Sequence, residues 1–125
     1  MARSMRLIAL RGATTVQANE SEPILTATEE LMHELLGRNA LAAEDLVSCL
    51  FTLTQDLDAE FPAVAARRMG LSRVPLMCAQ EIGVPGAMRS VIRVMIHAYA
   101  DAALEPVHVY LGETAALRQD LHGAQ

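Results

Sequence analysis

The sequence predicts an α+β domain, and three observations predict it. One long segment carries a strong helical period, several short segments with strand alternation flank it, and the apolar content is high for so small a chain. At 125 residues the chain has room for one domain, spanning 1–125, and none for a second core. Hydrophobic residues make up 52% and mean hydropathy is +0.24. A domain of this size buries only about two thirds of its surface by itself, so the excess points to an oligomer.

Residues 5–11 read as a first strand that Gly12 closes, with Ala13-Thr14-Thr15-Val16 leading into a polar loop. From Ser21 the period changes. Ile24, Leu25, Thr28, Leu31, Met32, Leu35 and Leu36 recur at helical spacing, Pro23 sits in a tolerated first-turn position, and Gly37 is placed to end the helix. Residues 42–45 add a helical turn. In 46–54, Val47, Cys49, Phe51 and Leu53 alternate with Ser48, Leu50, Thr52 and Thr54, as in a half-buried strand. An acidic loop follows at 55–60, then a short helix over 62–69 that Gly70 ends. Asp56, Asp58 and Glu60 read as a solvated run biasing charge towards that helix's N-terminus, rather than as a cation site.

Residues 74–80 read as a third strand and 107–111 as a last one, with a helical turn at 113–117. The segment 88–104 fits both periods. Met88, Val91, Ile92, Met95, Ile96 and Tyr99 suit a helix, while β-branched Val91, Ile92, Val94 and Ile96 suit a strand.

A net charge of -5 argues against nucleic acid or an anionic membrane as partner. All ten basic residues are arginine, so any cation facing a ligand is a planar fork suited to carboxylate or phosphate. Cys49 and Cys78 lack metal or redox spacing, and His33, His97, His108 and His122 show no ligand pattern, so no metal or cofactor is expected. Apolar stretches are broken by Arg93, His97 and Asp101, well short of the roughly 18 residues of a spanning helix. With only Leu7 to Leu10 as an N-terminal apolar block, a cytoplasmic location is expected.

Four motifs in order carry a family resemblance. They are Arg11-Gly12-Ala13-Thr14-Thr15; Asp56-Leu57 with Phe61-Pro62-Ala63 and Arg67; Val74-Pro75 with Cys78, Gln80 and Glu81; and Ile92-Arg93-Val94-Met95 followed by Val109-Tyr110-Leu111 and Leu117-Arg118. Together they resemble the small trimeric monofunctional chorismate mutases of the AroH class. The resemblance implies a mixed sheet of about five strands with two main helices on one face, and three chains packed around an axis with active sites in the clefts between neighbours. It also implies that 88–104 contains a strand.

The reaction so implied is the concerted rearrangement of chorismate to prephenate in aromatic amino-acid biosynthesis, which transfers no proton and forms no covalent intermediate. Two means remain to a protein: holding the dicarboxylate in its reactive conformer, and placing positive charge where the ether oxygen becomes anionic. A rate enhancement of roughly 10⁶-fold, about 8 kcal/mol, is within reach of the two together. By resemblance Arg93 faces the breaking ether bond, and Glu81, with the Cys78 thiol nearby, recognises the ring hydroxyl. Arg11 and Tyr110 bind a carboxylate. Phe61 and Ala63 form an apolar wall with Arg67 at its rim, Leu76 and Met77 add lining, and Leu117 and Arg118 belong to a tail over the site.

Without the resemblance these residues read more plainly. Arg93 is then an outward-facing strand charge, Glu81 a surface carboxylate, Cys78 a small packing group, Arg11 a strand-end charge and Tyr110 a core aromatic. Two positions depart from the family pattern: Val64 stands where a lysine is usual, and Met77 where a small hydroxyl residue is. Arg67 or Arg68 is expected to cover for the lysine. Rival readings are a similarly trimeric deaminase of reactive imines, which the 78–81 motif and Arg93 disfavour, and a non-catalytic carboxylate-binding module, which has no use for Arg93.

Overall fold

A computed structural model describes residues 4–116. The elements run β1 (Met5–Thr15), α1 (Ser21–Arg38), a 3₁₀ turn (Ala43–Asp45), β2 (Leu46–Leu53), α2 (Ala63–Arg68), β3 (Leu76–Gln80), β4 (Val91–Asp101), β5 (Val109–Tyr110) and a second 3₁₀ turn (Gly112–Thr114). The strands form one mixed sheet in the order β3-β2-β4-β1-β5. β4 runs antiparallel to both β1 and β2, whereas β3 and β5 join the edges in parallel. This is the α+β sheet that the family motifs imply. No described helix is long and apolar enough to cross a membrane.

Both helices cover the same face. Leu31, Met32 and Leu35 of α1 and Ala63 and Ala66 of α2 share one buried cluster with Leu10, Phe51, Val94 and Ile96 from the strands. Burying each of the larger of these side chains, from valine up to phenylalanine, stabilises by roughly 1.5–3 kcal/mol. The ambiguous segment 88–104 resolves as β4, whose even-numbered residues are all buried: Val94, Ile96, Ala98 and Ala100 in this cluster, and Ile92 in a second one with Val16, Ile24, Leu53 and Leu57. Its apolar odd-numbered residues fill the other face, which is why the run also mimicked a helix.

Several boundaries differ from expectation for identifiable reasons. β1 does not close at Gly12 but continues to Thr15, paired with β4 throughout. Gly12 is required by the helix layer: a Cβ there would come within 2.6 Å of Leu35 Cδ1. Gly37 does not end α1, because the cap is Asn39 and the left-handed turn is taken by Ala40, φ 52°. Asn39 is buried and bridges two segments. Its Nδ2 donates to the Leu35 and Val107 carbonyls, and its Oδ1 accepts the Val107 N–H, all at 2.8 Å.

β2 carries a register irregularity between Leu46 and Ser48, so Leu46 is buried and Val47, expected inward, is exposed. β3 begins at Leu76 rather than Val74, and Pro75 contributes only its carbonyl, to Cys49 N–H. The acidic loop is not a freely solvated run: Asp56, Asp58 and Glu60 each accept hydrogen bonds from another segment.

Candidate active site

Residues directly opposite one another in a sheet share a face. The register therefore lays Ala79, Thr52, Arg93, Ala13 and Tyr110 in one row across all five strands, on the face away from the helices. The adjacent row on that face holds Met77, Leu50, Met95 and Arg11. Between them lies a groove of about 420 Å³, within the range of small-molecule sites, whose lining includes Arg11, Leu50, Thr52, Arg93, Met95 and Tyr110.

Arg93 is the centre of this groove. Its side chain is 30% exposed, and its Nε lies 3.1 Å from Glu81 Oε2, whose side chain is 17% exposed. The approach is an ion pair without hydrogen-bond alignment, so this buried Nε has no hydrogen-bond partner. Glu81 is fixed independently of Arg93: its N–H donates to the Leu53 carbonyl at 2.8 Å, and its Oε2 accepts the Thr52 hydroxyl at 2.6 Å.

Arg11 reaches the same groove from β1. Its backbone N–H donates to His108 Nδ1 at 3.0 Å, so the imidazole satisfies the strand just before β5 begins. Tyr110 follows on β5, opposite Ala13. The lining thus carries two guanidiniums, a phenol and the His97 imidazole, which lies 3.1 Å from the Ser48 hydroxyl. Such a lining suits an anionic ligand with more than one acceptor group. Among the described residues, no three His, Cys, Asp or Glu side chains converge as a metal site.

The structure brings Arg93, Glu81, Arg11 and Tyr110 together and puts Met77 on the same face, 62% exposed at the sheet edge. It does not bring the others there within one chain. Cys78 lies opposite Phe51 and packs with Leu76 against the core, so both turn away from Arg93. Ala63 is buried in the helix layer, while Phe61, 66% exposed, and Arg67 belong to the exposed surface around α2. Arg68 faces α1, within 3.3 Å of Glu22 and 3.9 Å of Glu29, whereas Arg67 is exposed. Leu117, Arg118 and His122 lie outside the described residues.

Sequence reasoning missed Thr52, His97 and His108. Thr52 was legible in the polar half of β2's alternation, and His97 in the spacing of four from Arg93 along one strand. The His108 contact had no sequence signal, since it depends on where β5 docks.

The family model for chorismate mutase type I matches residues 7–121. The chain is 45% identical to a Thermus thermophilus protein named chorismate mutase AroH over 118 residues, covering 93% of this chain and 97% of the relative. It is 40% identical to the Bacillus subtilis protein of the same name over 119 residues, covering 94% of each. A solved chorismate mutase structure from Clostridium thermocellum superposes with a TM-score of 0.83 at 43% identity, over 87% of this chain and 98% of that one.

Proposed function

The chain belongs to the chorismate mutase type I family and is an isomerase that rearranges chorismate to prephenate; we propose that it does so with the Arg93–Glu81 pair at the centre of a site shared between subunits. The observation that carries this reading is the Arg93 guanidinium, ion-paired with Glu81 at 3.1 Å, on a groove that also holds Arg11 and Tyr110.

In this reading Arg93 donates to the ether oxygen as the C–O bond breaks. The developing charge strengthens that contact in the transition state more than in bound substrate, which is the condition for raising turnover. Glu81, held by Thr52, accepts the substrate's ring hydroxyl. Arg11 and Tyr110 bind one carboxylate, and the two anchor points together select the compact conformer in which the reacting carbons meet. No proton changes hands. The protein's contribution is geometry and charge, both fixed before substrate arrives.

We further propose a homotrimer, with Phe61 and Arg67 of a neighbouring chain closing each groove. Two observations support this. Met5, Leu7, Leu50, Met77 and Tyr99 leave an apolar sheet face exposed in the single chain, and the expected site residues fall on opposite layers of it. Cys78, Leu76 and Ala63 serve packing in this account. Sedimentation at three times 13.5 kDa is expected, and a 13.5 kDa species would remove the shared site.

The activity itself is tested by mixing purified protein with chorismate and following loss of the diene absorbance. Accelerated loss relative to the protein-free solution is expected. An unchanged rate contradicts the reading.

A further inference from the structure

The three carboxylates after β2 are each engaged by a different segment. Asp58 accepts Asn19 Nδ2 at 2.7 Å, and Glu60 accepts the Ser21 hydroxyl at 3.0 Å and the Phe61 N–H at 2.9 Å. Asp56 reaches to Ser90 instead. Its Oδ2 accepts both the Ser90 N–H, at 3.0 Å, and the Ser90 hydroxyl, at 2.9 Å, while Oδ1 lies 3.3 Å from the same N–H.

Ser90 has a φ of 59°, a left-handed conformation that is unfavourable for a residue with a Cβ and persists only when its surroundings hold it. It is also the residue before β4, three positions from Arg93. Around it, the Ser90 carbonyl accepts Val16 N–H at 2.9 Å. Val91 accepts from Thr54 N–H and donates to Thr54 Oγ1, both at 3.0 Å.

The other end of the same loop is held from the same place. Leu53 and Thr52 fix Glu81 through its N–H and its carboxylate. Residues 52–56 therefore anchor both ends of the loop 81–90, and with them both members of the pair at the groove.

We propose that Asp56 is a positioning residue for the reaction: by clamping Ser90 in its left-handed conformation it fixes the start of β4 so that the Arg93 guanidinium stands beside Glu81. The proposal rests on the reading of Arg93 as the cation that meets the ether oxygen. The electrostatics agree with a permanent clamp. Burial raises the Asp56 carboxyl, yet hydrogen bonds from Thr54 and Ser90 outweigh it and hold the group below the ordinary carboxylate value, ionised at neutral pH.

The test is Asp56→Ala, alone and combined with Ser90→Gly, because glycine adopts the left-handed region without help. Kinetics with chorismate are read well below each variant's melting temperature, beside the unsubstituted protein. Asp56→Ala is expected to lower kcat about tenfold while moving KM by less than about threefold, and Ser90→Gly is expected to return kcat to within about threefold of the original. A merely structural role would lower the melting temperature and leave kcat alone. An unchanged kcat in Asp56→Ala, or a loss that Ser90→Gly fails to restore, overturns the proposal. Should Asp56→Ala not fold, the same pair of measurements is read on Asp56→Asn, which keeps the shape and one acceptor oxygen. Inactivity of the unsubstituted protein would instead overturn the functional reading.

Discussion

Thr52 donates its hydroxyl to Glu81 Oε2 at 2.6 Å, the same oxygen that stands 3.1 Å from Arg93 Nε. Since Thr52 and Arg93 are cross-strand partners, β2 and β4 present one carboxylate oxygen with a neutral donor and a cation at once. The carboxylate is held in place before any ligand binds. Thr52→Val keeps the shape and deletes the donor, so kcat/KM for chorismate should fall by about tenfold, the equivalent of roughly 1.4 kcal/mol for one lost hydrogen bond. Thr52→Ser should stay near the original. Full activity in Thr52→Val would show that Glu81 needs no such support.

The two cysteines should differ sharply in reactivity. Burial pushes the Cys49 thiol up to about 11, whereas Cys78 is only half-buried. At pH 8 about one Cys49 in a thousand is then thiolate, the form that reacts. A thiol reagent should label one cysteine quickly in the native protein and both in denaturant. Equal labelling of both in the native protein would contradict the buried position of Cys49.

Asn39 ties the end of α1 to the segment entering β5, which carries Tyr110. Asn39→Ala strands the Val107 N–H and removes a donor from two carbonyls, a loss of about 2–4 kcal/mol in urea unfolding. A change below about 0.5 kcal/mol, the level of a neutral surface substitution, would show that water replaces the bridge.

The Asp56 clamp carries a pH signature of defined sign. Its carboxyl is lowered from the ordinary 3.8, so in the folded state it binds its proton less readily than in the unfolded chain. Its contribution to stability is fully present above about pH 4 and is lost as pH falls through the folded value, below 3.8. Asp56→Asn should therefore flatten the acid limb of the stability profile and leave its slope near neutrality unchanged. An acid limb of the same steepness in the variant would assign the effect to other carboxylates.

Much of this was legible in the residues. The α1 period, the short helix before Gly70 and the alternation of β2 from Cys49 onward needed no tertiary information, because each buries one face by its own repeat. β4 was not legible from periodicity, since Val91, Met95 and Tyr99 on the groove face blur the alternation that Arg93 and His97 mark there.

At the site, parity held more information than was used. Cys78 and Glu81 are an odd number of residues apart, so an extended chain turns them to opposite faces, and only Glu81 meets Arg93. Asp56 looks like part of a charge run in the sequence because its partner, Ser90, is 34 residues away and is reached only once the sheet forms. The location of Phe61 and Arg67 away from the groove had no local signal either, because it follows from packing α2 on the sheet face opposite the one that carries Arg11 and Arg93.

The central claim is that a fixed guanidinium stabilises charge appearing on the ether oxygen, and a neutral isostere tests it most directly. Replacing Arg93 by citrulline keeps the shape and hydrogen-bonding side chain while removing the charge. The account predicts a loss of about 10²–10³-fold in kcat with chorismate binding changed far less. Equal losses in binding and turnover, or an unchanged kcat, would contradict it.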